Sequence, residues 1–344
     1  MAEKMKAAFL VKNGAASKAF DFRETEIPTV GDHEVLVKVE AFGLNFADVM
    51  CRLGLYPECP PLPTVIGYEV VGRVTAIGKD VTSVKVGDRA VGLTRFGGYA
   101  EYAKGDHRGF VAIPEDWDAA TATCFATQYS TAWYSAKELI NLRPEDVVLV
   151  HAAAGGVGSA LVQIAKETGC KVFGTAGSDE KIEFLKQLGV DHPINYRKND
   201  FAAEVKKIMK KDRIDVIFDP IGGKSIKKGL NLLGPGGKMV SFGASALAGK
   251  SGMIAKLRVY LQFGFYHPTY FMMRSKSILG VNILKLGDYR PNTISRTLND
   301  VIKGAKEGFL KPQKISTYKF SELAEAHDAL EKRKTSGKVA ILMD

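Results

Sequence analysis

The 344-residue chain is poor in the residues that mark several large functional classes. It has four cysteines, Cys51, Cys59, Cys124 and Cys170, and no CxxC pair among them. That argues against a disulfide framework and a cysteine-rich zinc module. Six histidines, at 33, 107, 151, 192, 267 and 327, are scattered, and no HExxH joins any two. A zinc-protease helix is therefore missing. No GxSxG provides a serine-hydrolase elbow. Nor is there a clean apolar run of membrane-spanning length. The nearest, residues 253–273, is interrupted by Lys256, Arg258, His267 and Pro268, whose burial in lipid is costly. The opening MAEKMKAAFLVKNG reads as a first strand and not as a signal peptide, so a cytoplasmic location is expected.

Charge points toward anionic partners without naming one. Lys and Arg number 48 and Asp and Glu 38, a formal net charge of +10. The lysines are spread over many segments, including EVKKIMKK and KKGLNLL, and read mainly as solvated helix faces. No zinc finger, leucine heptad or arginine-rich tail accompanies them, so nucleic acid is not an expected partner. The length and a hydrophobic content of 46% allow a large core and about two domains.

The first 125 residues are strand-rich. KAAFLV, EVLVKVEAFGL, EVVGRVTAIG, VGDRAVGL and YAEYAKG show partial apolar alternation between glycines and polar turns. A bent, mostly antiparallel domain is expected. After about Ala126 the pattern changes. TQYSTAWYSAKELINL has helical spacing. Strands at VVLV, KVFGTAG, VDHPINY, DVIFDPIG and GKMVSFGA then alternate with helices at SALVQIAKETG, EKIEFLKQLG, FAAEVKKIMKK and KSIKKGLNLL. This predicts an α/β domain, a doubly wound parallel sheet with helices on both faces. Residues 246–276 read as one or two helices and SILGVNIL as a further strand. The tail predicts helices near 293–307 and at SELAEAHDALEKR, then a strand at GKVAILM.

AAAGGVG at 152–158, between VVLV and a helix, carries the strongest chemical signal. Glycines there let the backbone turn tightly and approach a pyrophosphate, with the helix N–H groups aimed at it. Gly155, Gly156 and Gly158 are the candidates; tight helix–sheet packing without a ligand is the alternative. The second strand ends in the small residues of GTAGSDEK. An acidic residue that holds the ribose 2′-OH of NAD is not at the strand end, since Asp179 belongs to the next helix. Ser178 and Lys181 suit a 2′-phosphate instead. The plainer alternative makes Ser178 a helix cap and Lys181 a solvated cation. Tyr196 and Arg197 follow the third strand and are placed to flank that phosphate. His151, beside the turn, reads as a structural residue or a cofactor neighbour. Hydride chemistry needs no protein nucleophile, which fits a chain with a cofactor loop and no triad.

GLNFAD at 43–48, continuing to Arg52, Gly54, Leu55 and Tyr56, and IGYEVVG at 66–72 resemble the medium-chain dehydrogenase/reductase superfamily, quinone oxidoreductase branch, nearest its vesicle amine transport homologues. The resemblance covers nearly the full length. It implies a GroES-like catalytic domain built from residues 1–125 and 289–344. Inserted between them is a Rossmann domain, 126–288, that binds NADPH. It implies that Asn45 and Thr131 lie near the nicotinamide and that Tyr56 shapes the substrate site and donates a hydrogen bond to a carbonyl. It adds Ala154, Val157, Thr175, Phe242, Gly243, Val281 and Asn282 to the cofactor residues, beside Gly155, Gly156, Gly158, Ser178, Lys181 and Tyr196. Zinc-dependent relatives carry ligands where this chain has Phe42 and Tyr68, so neither catalytic nor structural zinc is expected. The implied reaction is hydride transfer to a quinone or an α,β-unsaturated carbonyl, with a small hydrophobic or aromatic substrate. A homodimer through SILGVNIL is implied as well.

The resemblance departs from compact quinone reductases at the aromatic-rich residues 246–276. Three readings stand there: a wall of the active site, ordinary core or dimer packing, or contact with a membrane or protein partner. The alternative function is a noncatalytic NADPH-binding protein associated with lipid, membrane or protein.

Overall fold

EVLVKVEAFGL becomes the strand Glu34–Leu44, and its partners explain why so much of it is apolar. It pairs antiparallel with Glu69–Ile77, Tyr102–Asp106 and Lys338–Leu342, and consecutive residues of its second half, Ala41 to Leu44, are buried, so both of its faces are covered there. The pairing with Glu69–Ile77 slips twice, between Leu36 and Val37 and between Val39 and Ala41. Such bulges bend a strand and tighten its twist, which curves the sheet. The seven-stranded sheet is completed by Ile315–Lys319, Arg89–Leu93 and Phe110–Ala112. A three-stranded sheet of Phe20–Glu26, Lys4–Leu10 and Thr64–Val65 accompanies it. Val35, Val37, Phe42, Leu44, Val70 and Phe110 fill the core.

This computed structural model describes residues 3–250 and 252–343. Met1, Ala2, Ser251 and Asp344, which fall within the expected domain ranges, lie outside the described residues. By internal contacts the chain forms two units, Thr131–Asn282 and the remainder.

Thr131–Asn282 holds a six-stranded sheet, parallel throughout. Its spatial order is His192–Asn195, Lys171–Ala176, Val147–Val150, Ile214–Asp219, Leu233–Ser241, Ser277–Gly280. Counted along the chain this is 3-2-1-4-5-6, the Rossmann order, whose switch point lies between the first and fourth strands. The strands are near-continuous apolar runs because helices such as Gly156–Thr168 and Lys224–Leu230 connect them and cover the sheet. Leu149, Phe173, Ile217 and Met239 form the centre of this core.

Several elements differ from expectation. SILGVNIL is a strand only over Ser277–Gly280. Its neighbour ends at Ser241, whose carbonyl takes the Val281 N–H at 3.0 Å, and a helix starts at Ile283. Helical structure begins at Ala119, earlier than the spacing suggested, because Asp118 caps it by accepting the Thr121 N–H at 2.7 Å. That run contains two π turns, Phe125–Tyr129 and Tyr134–Leu139. The helix Phe46–Arg52 and the strands Phe20–Glu26 and Ile315–Lys319 were not anticipated. Residues 246–276 hold two helices, Met253–Phe263 and Pro268–Arg274. Phe263, Tyr266, Tyr270 and Phe271 pack against the core. Met253, Ile254 and Phe265 are 85%, 84% and 88% exposed. Core packing thus holds for one set of these side chains and not for the other.

Candidate functional site

The glycine loop starts where Val147–Val150 ends. The Ala152 backbone takes a left-handed φ of 51°, and Thr175 on the next strand steadies it. The Ala152 N–H reaches Thr175 Oγ1 at 3.3 Å, and the Ala153 N–H reaches the Thr175 carbonyl at 3.0 Å. Thr175 is buried, and its hydroxyl also meets His151 Nδ1 at 3.1 Å, so it acts on the loop from beneath. Burial holds His151 below the usual histidine range. The helix Gly156–Thr168 follows with Gly155 at its N-cap, where no side chain caps it. Its first-turn N–H groups keep their capacity for an anion. A β-carbon on Gly158 would lie 2.3 Å from the Ala152 carbonyl oxygen, so this cradle closes only around glycine. Ala154 and Val157 lie in the same turn.

The other cofactor candidates follow neighbouring strands of the same sheet. Ser178 caps the helix Asp179–Gln187, its Oγ accepting the Lys181 N–H at 3.3 Å, a role that leaves its hydroxyl proton able to donate to a ligand. Asp179 is drawn away by Lys198 at 2.7 Å and Asn195 at 3.0 Å, and the Lys198 contact holds its carboxyl below the usual range. Tyr196 follows His192–Asn195, and its N–H bonds the Ala176 carbonyl at 3.0 Å. Phe242 and Gly243 follow Leu233–Ser241, and Val281 and Asn282 follow Ser277–Gly280. All these positions therefore lie at the carboxyl edge of one parallel sheet, where open α/β sheets bind ligands. Thr131 lies in the short helical turn Ser130–Trp133, its carbonyl accepting from Ser135 Oγ at 2.6 Å.

Asn45 and Tyr56 belong to the other unit. Asn45, nearly buried, precedes Phe46–Arg52, and its N–H donates to Asp48 Oδ2 at 2.8 Å. Burial pushes the Asp48 carboxyl well above the usual range. Asn45 Nδ2 donates to Glu69 Oε1 at 2.7 Å, and buried Lys338 forms an ion pair with the same carboxylate. The Tyr56 ring lies 6.2 Å from that of Tyr68, which lies 5.4 Å from Phe96. Burial pushes the Tyr56 hydroxyl up to about 12. Tyr68 turns its hydroxyl to Cys51 Sγ, at 3.1 Å.

Sequence reasoning missed Glu69 and Lys338 as a pair, and it missed Asp219. Asp219 is buried at the end of its strand and accepts the N–H groups of Ile221 and Gly222, at 2.5 and 3.0 Å, and the Ser225 hydroxyl. The available signal was a carboxylate inside VIGYEVVG, a lysine at the head of KVAIL, and the acid that ends VIFD.

The glycine cradle suits a pyrophosphate. The polar residues around Asn45 do not suit zinc: Phe42 offers no donor atom, Tyr68 is engaged with Cys51, and Glu69 is engaged with a lysine. Among the described residues no group of three or more His, Cys, Asp or Glu is placed to hold a metal ion.

Residues 31–115 match the alcohol dehydrogenase GroES-like domain, and residues 156–299 match the zinc-binding dehydrogenase family. The synaptic vesicle membrane protein VAT-1 homolog of Homo sapiens is 36% identical over 318 residues, 92% of this chain and 80% of that protein. The chain belongs to the medium-chain dehydrogenase/reductase superfamily, in its quinone oxidoreductase branch. The Danio rerio VAT-1 homolog is 37% identical over 317 residues, 91% of this chain, which spans 65% of that relative's length. Among solved structures of the branch, the Escherichia coli quinone oxidoreductase complexed with NADPH superposes with a TM-score of 0.83 at 26% identity. That match covers 98% of this chain and 99% of that one. The CurK enoyl reductase superposes with a TM-score of 0.84 at 28% identity, covering 99% of this chain and 100% of that one.

Proposed function

We propose that this member of the superfamily binds NADPH and delivers hydride to a quinone or an α,β-unsaturated carbonyl compound. The observation that carries the reading is the carboxyl edge of the Rossmann sheet. There an uncapped glycine turn precedes a helix, and Ser178 and Tyr196 follow neighbouring strands whose nearest carboxylate, Asp179, is paired with Lys198. The NADPH-bound quinone oxidoreductase and the enoyl reductase that the chain resembles support it.

Bound NADPH supplies the hydride. The chain's residues bind and orient. Gly155, Gly156 and Gly158 with Ala154 and Val157 cradle the pyrophosphate. Ser178, Lys181 and Tyr196 receive the 2′-phosphate, and Thr175 holds the loop in shape. Thr131, Phe242, Gly243, Val281 and Asn282 complete the cofactor contacts. Asn45 orients the reacting partners by its amide. Tyr56 stays protonated at neutral pH, since its hydroxyl titrates near 12, so it donates a hydrogen bond to the acceptor oxygen. A conjugated acceptor suits a site whose donors do not suit zinc, because its own π-system delocalises the charge that arrives. A reducing, cytoplasmic compartment fits the four free thiols. The exposed edge strand Ser277–Gly280 supports a homodimer by strand pairing.

The test follows NADPH absorbance against a panel of quinones and enones, with product analysis. Turnover with NADPH and a matching reduced product is expected, and Tyr56→Phe should lower kcat/KM about tenfold or more. Preference for NADH would remove the 2′-phosphate assignment, and NADPH binding without turnover would leave a binding protein.

A specific observation favours a second property, docking on an anionic lipid surface. Met253, Ile254, Leu257, Leu261, Phe265 and Met273 are exposed in one segment. No Asp or Glu occurs between Asp219 and Asp288, whereas Lys250, Lys256, Arg258 and Arg274 do. A bilayer with acidic headgroups receives both kinds of side chain, whereas a second copy would oppose like charges. Among the described residues no helix is long and apolar enough to cross a membrane. Co-sedimentation with phosphatidylserine vesicles, absent with pure phosphatidylcholine and lost in Ile254→Glu, is the expected result. Equal behaviour on both vesicles would reject it.

A further inference from the structure

Glu69, Lys338 and Asn45 come from distant parts of the sequence, yet their polar atoms close into one buried cluster. Lys338 Nζ contacts Glu69 Oε1 and lies 3.4 Å from Asn45 Oδ1. Asn45 Nδ2 donates to the same Glu69 oxygen at 2.7 Å. The amide is thereby polarised in space, nitrogen toward the carboxylate and oxygen toward the ammonium. Half a turn about its last bond would set oxygen against oxygen and nitrogen against nitrogen. Glu69 Oε2 meanwhile takes the Thr127 N–H at 2.8 Å, within the π turn Phe125–Tyr129. Such turns inside helices are frequent at functional sites.

The ion pair joins strands that are also paired through their backbones, Val339 opposite Leu44 and Val70 opposite Phe42. A buried ion pair is on average no more stabilising than an apolar pair of the same volume. What apolar side chains cannot do is fix which way an asparagine amide points.

We propose that the Glu69–Lys338 pair is a positioning device for Asn45, setting the direction in which its amide meets the reacting partner. The proposal rests on the reading of Asn45 in the reaction given above. Glu69 and Lys338 are positioning residues and touch neither cofactor nor acceptor.

The test uses the full chain with Glu69→Gln and Lys338→Met together. Glutamine keeps volume and hydrogen-bonding capacity but pairs with either amide orientation, and no charge is left alone. Urea unfolding and the NADPH Kd are expected to change little, while kcat with a quinone or enone falls about tenfold or more, as removal of a transition-state contact does. The decisive reading is non-additivity. With Asn45→Ala added, the triple variant should be no slower than Asn45→Ala alone, because the pair acts through that side chain. A triple variant slower by the full product of the two effects overturns the proposal, and so does an unchanged kcat in the double variant. Should the double variant fail to fold, Lys338→Arg and Lys338→Gln are compared. Arginine should retain kcat and glutamine lower it, and equal rates overturn the proposal. Absence of turnover in the wild type would remove the reductase reading, and the proposal with it. Wild-type turnover with additive effects removes the proposal alone.

Discussion

The hydroxyl of Tyr196 lies 2.6 Å from the point where a side chain at Gly177 would begin. Glycine at 177 therefore lets the tyrosine close over the end of the second strand, beside Ser178. Gly177→Asp should displace the ring and place a carboxylate where a 2′-phosphate is expected. The ratio of kcat/KM for NADPH over NADH should fall by about tenfold or more, each tenfold being ~1.4 kcal/mol. An unchanged ratio would mean that Tyr196 and Ser178 do not meet that phosphate.

Gly158 and Gly155 should respond differently to alanine. A β-carbon at Gly158 meets backbone atoms of Ala152 and Ala153 at 2.3 and 2.7 Å, whereas at Gly155 the nearest atom is 3.2 Å away. Backbone cannot step aside, so Gly158→Ala should cost about 1–3 kcal/mol as an overpacked site and raise the NADPH Kd steeply. Gly155→Ala should do less of both. Calorimetric titration of the two variants checks the order.

Arg52 has no exposed surface, and its guanidinium reaches the Gly14 carbonyl and the Glu331 carboxylate. Glu331→Ala leaves a buried cation without its counter-charge. A loss of about 3–5 kcal/mol is expected, read as a shift of the urea midpoint. A change under about 1 kcal/mol would class the pair with surface ion pairs.

His327 is buried, 3.1 Å from the Tyr99 hydroxyl, and burial, with Arg52 second, holds its pKa well below the usual histidine value. The unfolded chain binds a proton there below about pH 6.5 and the folded chain does not. Stability should therefore be full above that pH and fall as pH drops through it, by up to ~1.4 kcal/mol per pH unit. His327→Phe should make the slope between pH 6.5 and 5.5 shallower by up to one proton. His151, likewise depressed by burial, contributes equally to both proteins. Identical slopes would show that His327 is protonated in the folded chain.

Periodicity carried the Rossmann unit far. VVLV, KVFGTA and IDVIFD are short apolar runs beside glycine turns and amphipathic helices, and all three became parallel strands. The other unit was less legible. Phe20–Glu26 is mostly exposed, and its apolar side is only Phe20 and Phe22, too little to set a period. Phe46–Arg52 is too short for a helical period and depends on the bond between the Asn45 N–H and Asp48. Helical spacing marked 127–142 but not the π turns that interrupt it; at the first of them the Thr127 amide answers to Glu69, 58 residues earlier. The Glu69–Lys338 pair escaped as well. Local composition shows a charge among apolar neighbours but not the partner that neutralises it.

Lys338 meets Glu69 across 269 residues of chain. During synthesis on the ribosome, the carboxylate emerges long before its cation, and the strand Glu34–Leu44 waits equally long for Lys338–Leu342. The intervening Rossmann unit is complete well before either is answered. The sheet that bears Asn45 thus stays open along one side until Lys338–Leu342 has been made. A nascent or prematurely terminated chain would display that open side to chaperones and proteases.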